Sequence, residues 1–503
     1  MNQKNSRSVS FILATLFLLP ACALLNTAET TATSISQTSP TRDQPILVLS
    51  PDTVPTAIVE AEPTLTQSPI PPTEVATVPA TEAVPSQSLT SSPKTNVIEN
   101  LCAGLITDQL PHPMSAAAKP NVGDAFIDPA FGTTIRRITD AGPDNVIKPM
   151  YSTIPAWNAD ESLIILYETG VGHRLYDGRT YTFIQQLDIN PSDLEHVYWH
   201  ATDPDIFYYP ESRQLSGEWV ENLVAYQVSN STKTIVRNFA ADGVTGYKFG
   251  FGRDPMYSSW DSRFFGLAAT EADTVYTYDR VNDTIIKQAP ADDRPAAPMP
   301  SPSGQFYFWD GEVYDQNLTF LRTLGLGNAY EHSSIGTMNG RDTYFSVQFG
   351  SGPNSEIGTL IAHDLATAES TVLIGESNGY PYPPSGTHIS PLSINNPGYV
   401  AVSIIGFQAD GQTLLDNELV LVNANTGTVC RVAHHRSVRG SQGYWAEPHV
   451  VISPSGTRMI FGSDWGGSNT VDTYVVELPS YKPAVTIPLP FSVFLPATTQ
   501  ANS

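Results

Sequence analysis

A short apolar strand, a tight turn and a second apolar strand recur along this chain, and this repeated hairpin restricts the possible folds more than any other feature. The clearest copy is YWAEPHVVISPSGTRMIFGSDWGG, Tyr444 to Gly467, with its turn at Pro454, Ser455 and Gly456. Turn-forming residues between two β-rich runs predict a hairpin. Seven such units occur: TIPAWNADESLIILYE from Thr153, HVYWHATDPDIFYYP from His196, DPMYSSWDSRFFGLAA from Asp254, APMPSPSGQFYFWD from Ala297, HSSIGTMNGRDTYFSVQ from His332, HISPLSINNPGYVAVSI from His388 and EPHVVISPSGTRMIFGS from Glu447.

A second hairpin signal follows each unit, as in LVAYQVSNSTKTIVRNF, VYTYDRVNDTIIKQA and LVLVNANTGTVCRVA. Four strands in each unit are the blade of a β-propeller, so the sequence predicts an all-β fold of seven four-stranded blades. A βαβ fold is disfavoured because no stretch shows sustained helical periodicity. The strand-like run from Gly132 to Gly142 precedes the first unit. We expect it to complete the last blade and close the ring, which removes exposed sheet edges.

The first hundred residues differ in composition from the rest. Lys4 and Arg7 precede an apolar run from Phe11 to Leu19, which predicts a secretory signal over residues 1–21. Residues 22–100 are rich in Pro, Thr and Ser and nearly free of aromatic residues, so we expect a disordered linker. The propeller is predicted over residues 101–490, and a flexible tail over residues 491–503.

The run Leu19-Pro20-Ala21-Cys22 resembles the bacterial lipobox. This resemblance implies cleavage before Cys22, diacylation of that cysteine and an exported protein held at the membrane by its lipid. Cys102 and Cys430 then remain as a candidate disulfide, or as two buried thiols. The formal net charge of −24 disfavours nucleic acid and anionic lipid surfaces, because affinity for phosphate comes from Lys and Arg. We therefore expect membrane contact through the anchor only. We also expect a monomer.

Histidines recur at nearly one position of the repeat. His196, His332 and His388 lie seven residues before the turn of their units, and His449 lies six before its turn. This position is the start of the innermost strand, where the loops that lead into the channel gather. Imidazole nitrogens together with a carboxylate such as Glu447 suit divalent ions, with Mn, Ca and Zn as the candidates. The alternative is a set of channel histidines that hydrogen-bond to neighbouring strands. The offset of His449 turns its side chain to the other strand face unless a β-bulge corrects it.

The SPSG turns and the phrase HVVISPSGTRMIFGSDW resemble the SPDG repeats of exported bacterial propellers, including the Tol-system propeller and the oligogalacturonate lyases. The likeness covers nearly all of residues 130–490 and is more specific for fold than for chemistry. Among the lyases, it implies that His388 and His449 are metal ligands and that His332 is an active-site histidine. The chain departs from that family at Glu447, where the family has a histidine, and at Tyr444, where it has a glutamine.

The family's catalytic arginine has only Arg253 and Arg294 as candidate counterparts here. If the chain is a lyase, the reaction is β-elimination from a uronic acid, with His332, Arg253 or Tyr444 as the base. Aromatic residues in the loops leading to the channel are candidate sugar platforms or ordinary loop packing, namely Tyr330, Tyr380, Tyr382, Tyr444 and Trp445.

One basic cluster stands out in this acidic chain, in the loop before the last unit: His434, His435, Arg436 and Arg439. Arg436 and Arg439 are candidate contacts for a carboxylated sugar, with a solvated loop as the alternative. Two functions therefore remain open. One is binding or cleavage of acidic oligosaccharide, and the other is a non-catalytic propeller that holds a protein or peptide.

Overall fold

The computed structural model describes residues 100–244, 249–250, 254–269, 273–292, 294, 296–325, 330–348, 358–380, 388–406 and 410–483. In these residues the strands form seven antiparallel sheets, six of four strands and one of five. The predicted all-β, seven-bladed propeller is confirmed. In the described part of the chain, no helix is long and apolar enough to cross a bilayer.

Two strands precede the first blade, β1 (Ala125–Ile127) and β2 (Thr134–Arg137). Blade 1 contains β3 (Ile147–Lys148), β4 (Leu163–Glu168), β5 (Gly172–Asp177) and β6 (Phe183–Gln186). Blade 2 contains β7 (Tyr198–Trp199), β8 (Ile206–Leu215), β9 (Glu218–Gln227) and β10 (Thr232–Asn238). Blade 3 contains β11 (Met256–Ser258), β12 (Phe264–Ala269), β13 (Thr274–Asp279) and β14 (Thr284–Pro290).

Blade 4 contains β15 (Met299–Pro300), β16 (Tyr307–Trp309), β17 (Glu312–Tyr314) and β18 (Phe320–Thr323). Blade 5 contains β19 (Tyr330–Met338), β20 (Arg341–Gln348), β21 (Leu360–Asp364) and β22 (Ser370–Ile374). Blade 6 contains β23 (His388–Ser390), β24 (Tyr399–Ile404), β25 (Glu418–Asn423) and β26 (Thr428–His434). The last three strands are β27 (Val451–Ile452), β28 (Arg458–Ser463) and β29 (Asp472–Glu477). Short 3-10 helices span Val228–Asn230, Phe239–Asp242, Glu376–Asn378 and Gly443–Ala446.

The ring closes in blade 7, whose strand order is β1-β2-β29-β28-β27. Strand β2 pairs antiparallel with β29, with Ile135 opposite Val476, so the expectation for the run Gly132 to Gly142 is confirmed. Across the seam to blade 1, the buried Arg458 guanidinium lies 2.6 Å from a Glu161 carboxylate oxygen and faces the Trp157 ring at 5.1 Å.

Middle strands of the blades are buried on both faces, as packing of one blade against the next requires. Strands β12, β24 and β28 are buried at every position, and their sequences FFGLAA, YVAVSI and RMIFGS accordingly show no clean polar alternation. Between blades 4 and 5, the rings of Phe308 and Tyr344 stack with centroids 3.8 Å apart. The innermost strand of each blade is its first, so the starts of β3, β7, β11, β15, β19, β23 and β27 lie around one end of the channel, here called the channel mouth.

The segment before β1 packs on the last two blades. Cys102 and Cys430 form a disulfide with their Cα atoms 5.8 Å apart. Leu101 is fully buried against Gly456 in the turn of blade 7. A side chain at Gly456 would place its Cβ 2.4 Å from Leu101 Cδ1, and the φ of +75° there also favours glycine.

Candidate metal centre and active site

Three histidines and one glutamate from blades 5, 6 and 7 meet at the channel mouth. The His332 and His388 rings lie 4.3 Å apart between centroids and are nearly parallel, at 14°. The His388 and His449 rings lie 4.2 Å apart. Glu447 Oε2 lies 3.7 Å from His388 Nε2 and 3.9 Å from His449 Nε2. Residues far apart in the sequence, selected by their place in the repeat, are thus neighbours in the fold.

Two of these histidines have left-handed backbone conformations. The φ angle is +52° at His332 and +43° at His449, a region that non-glycine residues rarely adopt. His332 lies where the register between β19 and β20 shifts. The offset of His449 was predicted to turn its side chain away unless a β-bulge at Pro448 corrected it; in the structure the His449 ring faces His388, and the backbone of His449 itself is left-handed. Such conformations cost on the order of 1–3 kcal/mol each and concentrate at functional sites.

His388, Glu447 and His449 fit a divalent ion. Each offers one ligand atom, and these atoms all lie within 4.8 Å of one another. Ligands about 2.1 Å from a shared ion lie roughly 3–4 Å apart, close to the separations from Glu447. His449 is fully buried and its Nε2 makes no hydrogen bond. Burial, together with the positive charge of Lys148, lowers the pKa of His449 well below its usual value, so the ring is neutral. Neutral imidazole and carboxylate are the donors that Zn and Mn accept.

Lys148, from the first inner strand, completes the surroundings of His449 and was not predicted. Its Nζ lies 2.7 Å from His449 Nδ1 and donates to the Glu447 carbonyl oxygen at 3.1 Å. Burial lowers the pKa of Lys148 to about 7, although the Glu195 and Glu447 carboxylates oppose the shift. In its uncharged form, above about pH 7, this amine can accept the Nδ1 proton, which leaves the Nε2 lone pair available. In the sequence, Lys148 is a lone lysine in VIKPMY. It lies before Thr153, the predicted start of the first unit, so the repeat pattern does not mark it as a channel residue.

Aromatic rings form a wall beside the histidines. Tyr444 is 45% exposed, and its ring lies 4.7 Å from that of His449. Its hydroxyl donates to Glu195 at 3.3 Å. Burial and the Glu195 carboxylate raise the pKa of Tyr444, so the phenol stays protonated. Trp445 is half-buried beside Tyr444, and the unpredicted Tyr151 lies 5.3 Å from the His449 ring. Tyr444 and Trp445 are thus both at the site.

Of the two arginines in the basic cluster, only Arg439 reaches the site. Its side chain is 43% exposed and lies 3.3 Å from Glu447 Oε1. Arg436 is only 4% exposed, and its guanidinium packs on Phe126 at 4.8 Å and Trp465 at 5.3 Å. The expected sugar contact from Arg436 is therefore incorrect, because the segment before β2 covers it.

His434 and His435 are also buried, so this cluster is not a surface patch. Tyr380 is 7% exposed and packs in the apolar core with residues of blades 5 and 6, which corrects its assignment as a sugar platform. Arg253, Tyr382 and the side chain of Tyr330 lie outside the described part of the chain.

The remaining candidates are held apart from the histidine group. His196 is buried, with Nδ1 2.9 Å from Asp193 and Nε2 3.8 Å from Asp254. Burial opposes protonation of His196, but these carboxylates outweigh it and raise the pKa. Arg294 faces the Trp309 ring at 4.2 Å and bonds to the Tyr314 hydroxyl. Its contacts within blade 4 do not support Arg294 as the catalytic arginine.

No protein-family model and no curated protein sequence matches this chain. Among solved structures, an oligogalacturonate lyase in complex with manganese is 17% identical, with a TM-score of 0.49. That match covers 73% of this chain and 99% of the lyase. An oligogalacturonate lyase from Vibrio parahaemolyticus is 14% identical, also with a TM-score of 0.49, over 71% of this chain and 97% of that protein.

Proposed function

We propose that this protein binds and cleaves acidic oligosaccharides at the channel mouth by metal-assisted β-elimination. The observation that carries the proposal is the convergence of His388, Glu447 and His449 on one point, where the buried His449 Nε2 has no hydrogen-bond partner. An unpaired buried nitrogen is costly, so its place in this group indicates a ligand. The choice of a uronic acid follows from the resemblance of the repeats to those of the lyases.

The protein's own residues have distinct roles in this reaction. A divalent ion held by His388, Glu447 and His449 would neutralise the substrate carboxylate and acidify the proton beside it. His332, partly exposed and stacked on His388, is the base that takes this C5 proton. The electron pair left on C5 forms the C4=C5 double bond while the C4–O bond breaks, and the departing oxygen keeps the C4–O electron pair and takes up a proton from water. Tyr444 is a poorer base because its raised pKa keeps it protonated.

Charge and aromatic surface at the mouth suit a carboxylated sugar. An acidic protein of net charge −24 repels anions over most of its surface, so recognition requires local cations. The exposed Arg439 guanidinium and a divalent ion held by His388, Glu447 and His449 would supply these cations. The partly exposed rings of Tyr444 and Trp445 offer apolar faces on which a pyranose can stack.

We also propose an exported location with a lipid anchor at Cys22. The disulfide between Cys102 and Cys430 supports export, because disulfides persist in oxidising compartments and are rare in the cytosol. Labelling with radioactive palmitate, compared between the full chain and Cys22→Ala, tests the anchor. Absence of label in the full chain would contradict it.

The enzyme proposal is tested with the full chain stripped of metal and then given Mn²⁺. Elemental analysis should find bound metal, thermal unfolding should shift upward, and polygalacturonate should give the ultraviolet absorbance of an unsaturated product. At an ion concentration 100 times the Kd, the stabilisation is about 2.7 kcal/mol. Glu447→Gln should lose both the metal-dependent rise in Tm and the product absorbance. His112→Gln should keep both, because His112 is not one of the ligands His388, Glu447 and His449. A chain with neither bound metal nor product would reject the enzyme and favour a non-catalytic propeller that holds a protein or peptide.

A further inference from the structure

Residues 438–444 form a surface loop at the channel mouth, between blade 6 and the last inner strand. The loop carries Arg439 and leads to Glu447. A hydrogen bond from the Ser437 hydroxyl to the Ala446 carbonyl closes its base. Each residue of the loop is at least partly exposed, so the position of Arg439 depends on polar contacts rather than on burial in the core.

The carboxylate of Asp464, directly after β28, supplies two such contacts. Asp464 is fully buried. Its Oδ1 accepts the Val438 N–H at 2.9 Å, and its Oδ2 accepts the Gly440 N–H at 2.7 Å. Arg439, between these two amides, has a left-handed backbone with a φ of +56°. Neighbouring N–H groups around a left-handed residue form a concavity that binds an anion. Asp464 therefore fixes the backbone on both sides of Arg439.

The arrangement requires a carboxylate and a close approach of the loop. An asparagine side chain has only one acceptor oxygen, so at this position it could keep only one of the two amide bonds. A Cβ at Gly440 would lie 3.2 Å from the Gly467 backbone and 3.4 Å from Asp464 Oδ2. The Asp464 carbonyl in turn accepts the Ser468 N–H at 2.9 Å and the Ser468 hydroxyl at 2.7 Å. The acceptor is thus held in place by its own turn.

Glu447 connects the loop to the candidate metal ligands. Its Oε2 lies 3.7 Å from His388 Nε2 and 3.9 Å from His449 Nε2, whereas its Oε1 lies 3.3 Å from the Arg439 guanidinium. A substrate carboxylate on an ion held by these ligands would lie next to Arg439. A guanidinium can pair with such a carboxylate through two parallel N–H bonds.

We infer that Asp464 is a positioning residue, which holds the Arg439 guanidinium where it meets the carboxylate of a uronic acid. It does so by fixing the amides of Val438 and Gly440. The inference rests on the proposed function, and it adds the basis of substrate selection. A neutral sugar of the same shape has no partner for Arg439, so the fixed guanidinium selects the charged sugar. Because Asp464 is buried, it acts through Arg439 and does not itself contact the substrate.

The test measures KM and kcat for polygalacturonate with Mn²⁺ in wild type, Asp464→Asn, Arg439→Ala and the double variant. Arg439→Ala should raise KM about tenfold or more, because a charge-assisted hydrogen bond to the substrate is lost. Asp464→Asn should raise KM by up to the same factor, and kcat should change little in both, as for a contact made equally in ground and transition states. The double variant should match Arg439→Ala. Two factors that multiply would overturn the inference, since independent roles add in free energy.

A matched control separates positioning from loss of stability. Asp472 is likewise fully buried in blade 7, where it pairs with Lys119 at 2.5 Å. Asp472→Asn should lower the Tm and keep the wild-type KM. Amide hydrogen exchange at Val438 and Gly440 should be faster in Asp464→Asn and unchanged in Asp472→Asn. An equal rise of KM in the two variants would show a general effect of destabilisation and would contradict the inference.

A second variant keeps the test valid if Asp464→Asn does not fold. Gly440→Ala lies in the exposed loop and moves it away from Asp464, because the new Cβ would meet the Gly467 backbone. It should raise KM in the same direction. Unchanged KM in both Asp464→Asn and Gly440→Ala, in a wild type that cleaves polygalacturonate, would refute the inference alone. A wild type that neither binds nor cleaves polygalacturonate would reject the proposed function and the inference together.

Discussion

Removing the disulfide between Cys102 and Cys430 should destabilise the whole ring rather than one end of it. The bridge joins positions 328 residues apart, so in the unfolded chain it closes a loop containing most of the propeller. Chain entropy for a loop of this length gives a stabilisation of about 6 kcal/mol. Cys102→Ser is the suitable change, because Cys102 is partly exposed whereas Cys430 is fully buried in blade 6.

Urea unfolding followed by tryptophan fluorescence would measure this difference in the free energy of unfolding. The segment around Cys102 also has non-covalent attachments, since Leu101 is buried and Ile106 forms a bridge with Arg431. If these attachments alone hold the segment, the variant should fray only locally. Its free energy of unfolding should then fall by less than about 1 kcal/mol, the scale of a single hydrogen bond. That result would refute the loop-entropy reasoning. Reductant should destabilise the wild type and leave Cys102→Ser unchanged.

Three further outcomes are expected. His435 donates from Nε2 to the Ile404 carbonyl at 3.0 Å, and burial lowers its pKa to about 3. On acidification the unfolded chain therefore takes up the proton first, so the free energy of unfolding should fall below about pH 6.5 by up to roughly 1.4 kcal/mol per pH unit. Urea titration of His435→Asn should show a shallower fall. His332→Gln should lower the elimination rate by about 10²–10⁴ while the Mn²⁺-dependent rise in Tm persists, and loss of that rise would remove the assignment of His332 as base. Below about pH 7 Lys148 is mostly protonated, so Lys148→Met removes a buried positive charge beside His449. Calorimetric Mn²⁺ affinity at such pH should therefore be unchanged or higher, and a tenfold loss would show that Lys148 is needed to hold the site.

Repeat pattern was sufficient to predict the fold, because a four-stranded blade leaves the same hairpin signature each time. The same periodicity placed His332, His388 and His449 at equivalent strand starts, and closure of the ring makes equivalent starts neighbours. Lys148 was missed because blade 1 begins with a two-residue strand separated from its turn, so its position in the repeat could not be counted from the turn.

The segment before the first blade explains the error at Arg436. In the sequence, a cluster of histidines and arginines in a loop has the pattern of a solvated patch. In the fold, Phe126 from β1 covers the Arg436 guanidinium, and the Ser115 carbonyl accepts its hydrogen bond at 2.7 Å. The repeat carries no information on where a non-repeating segment packs, so this burial could not be predicted from the spacing.

The cluster of His388, Glu447 and His449 lies beside the ring seam, which determines when during maturation it can form. Lys148 is on the first inner strand, Glu447 and His449 directly precede the last one, and β2 must pair with β29 to finish the same blade. A ribosome-bound or prematurely terminated polypeptide lacks one side of this arrangement. The proposed activity should therefore arise only after translation has finished and the two ends have met, so that incomplete products lack it.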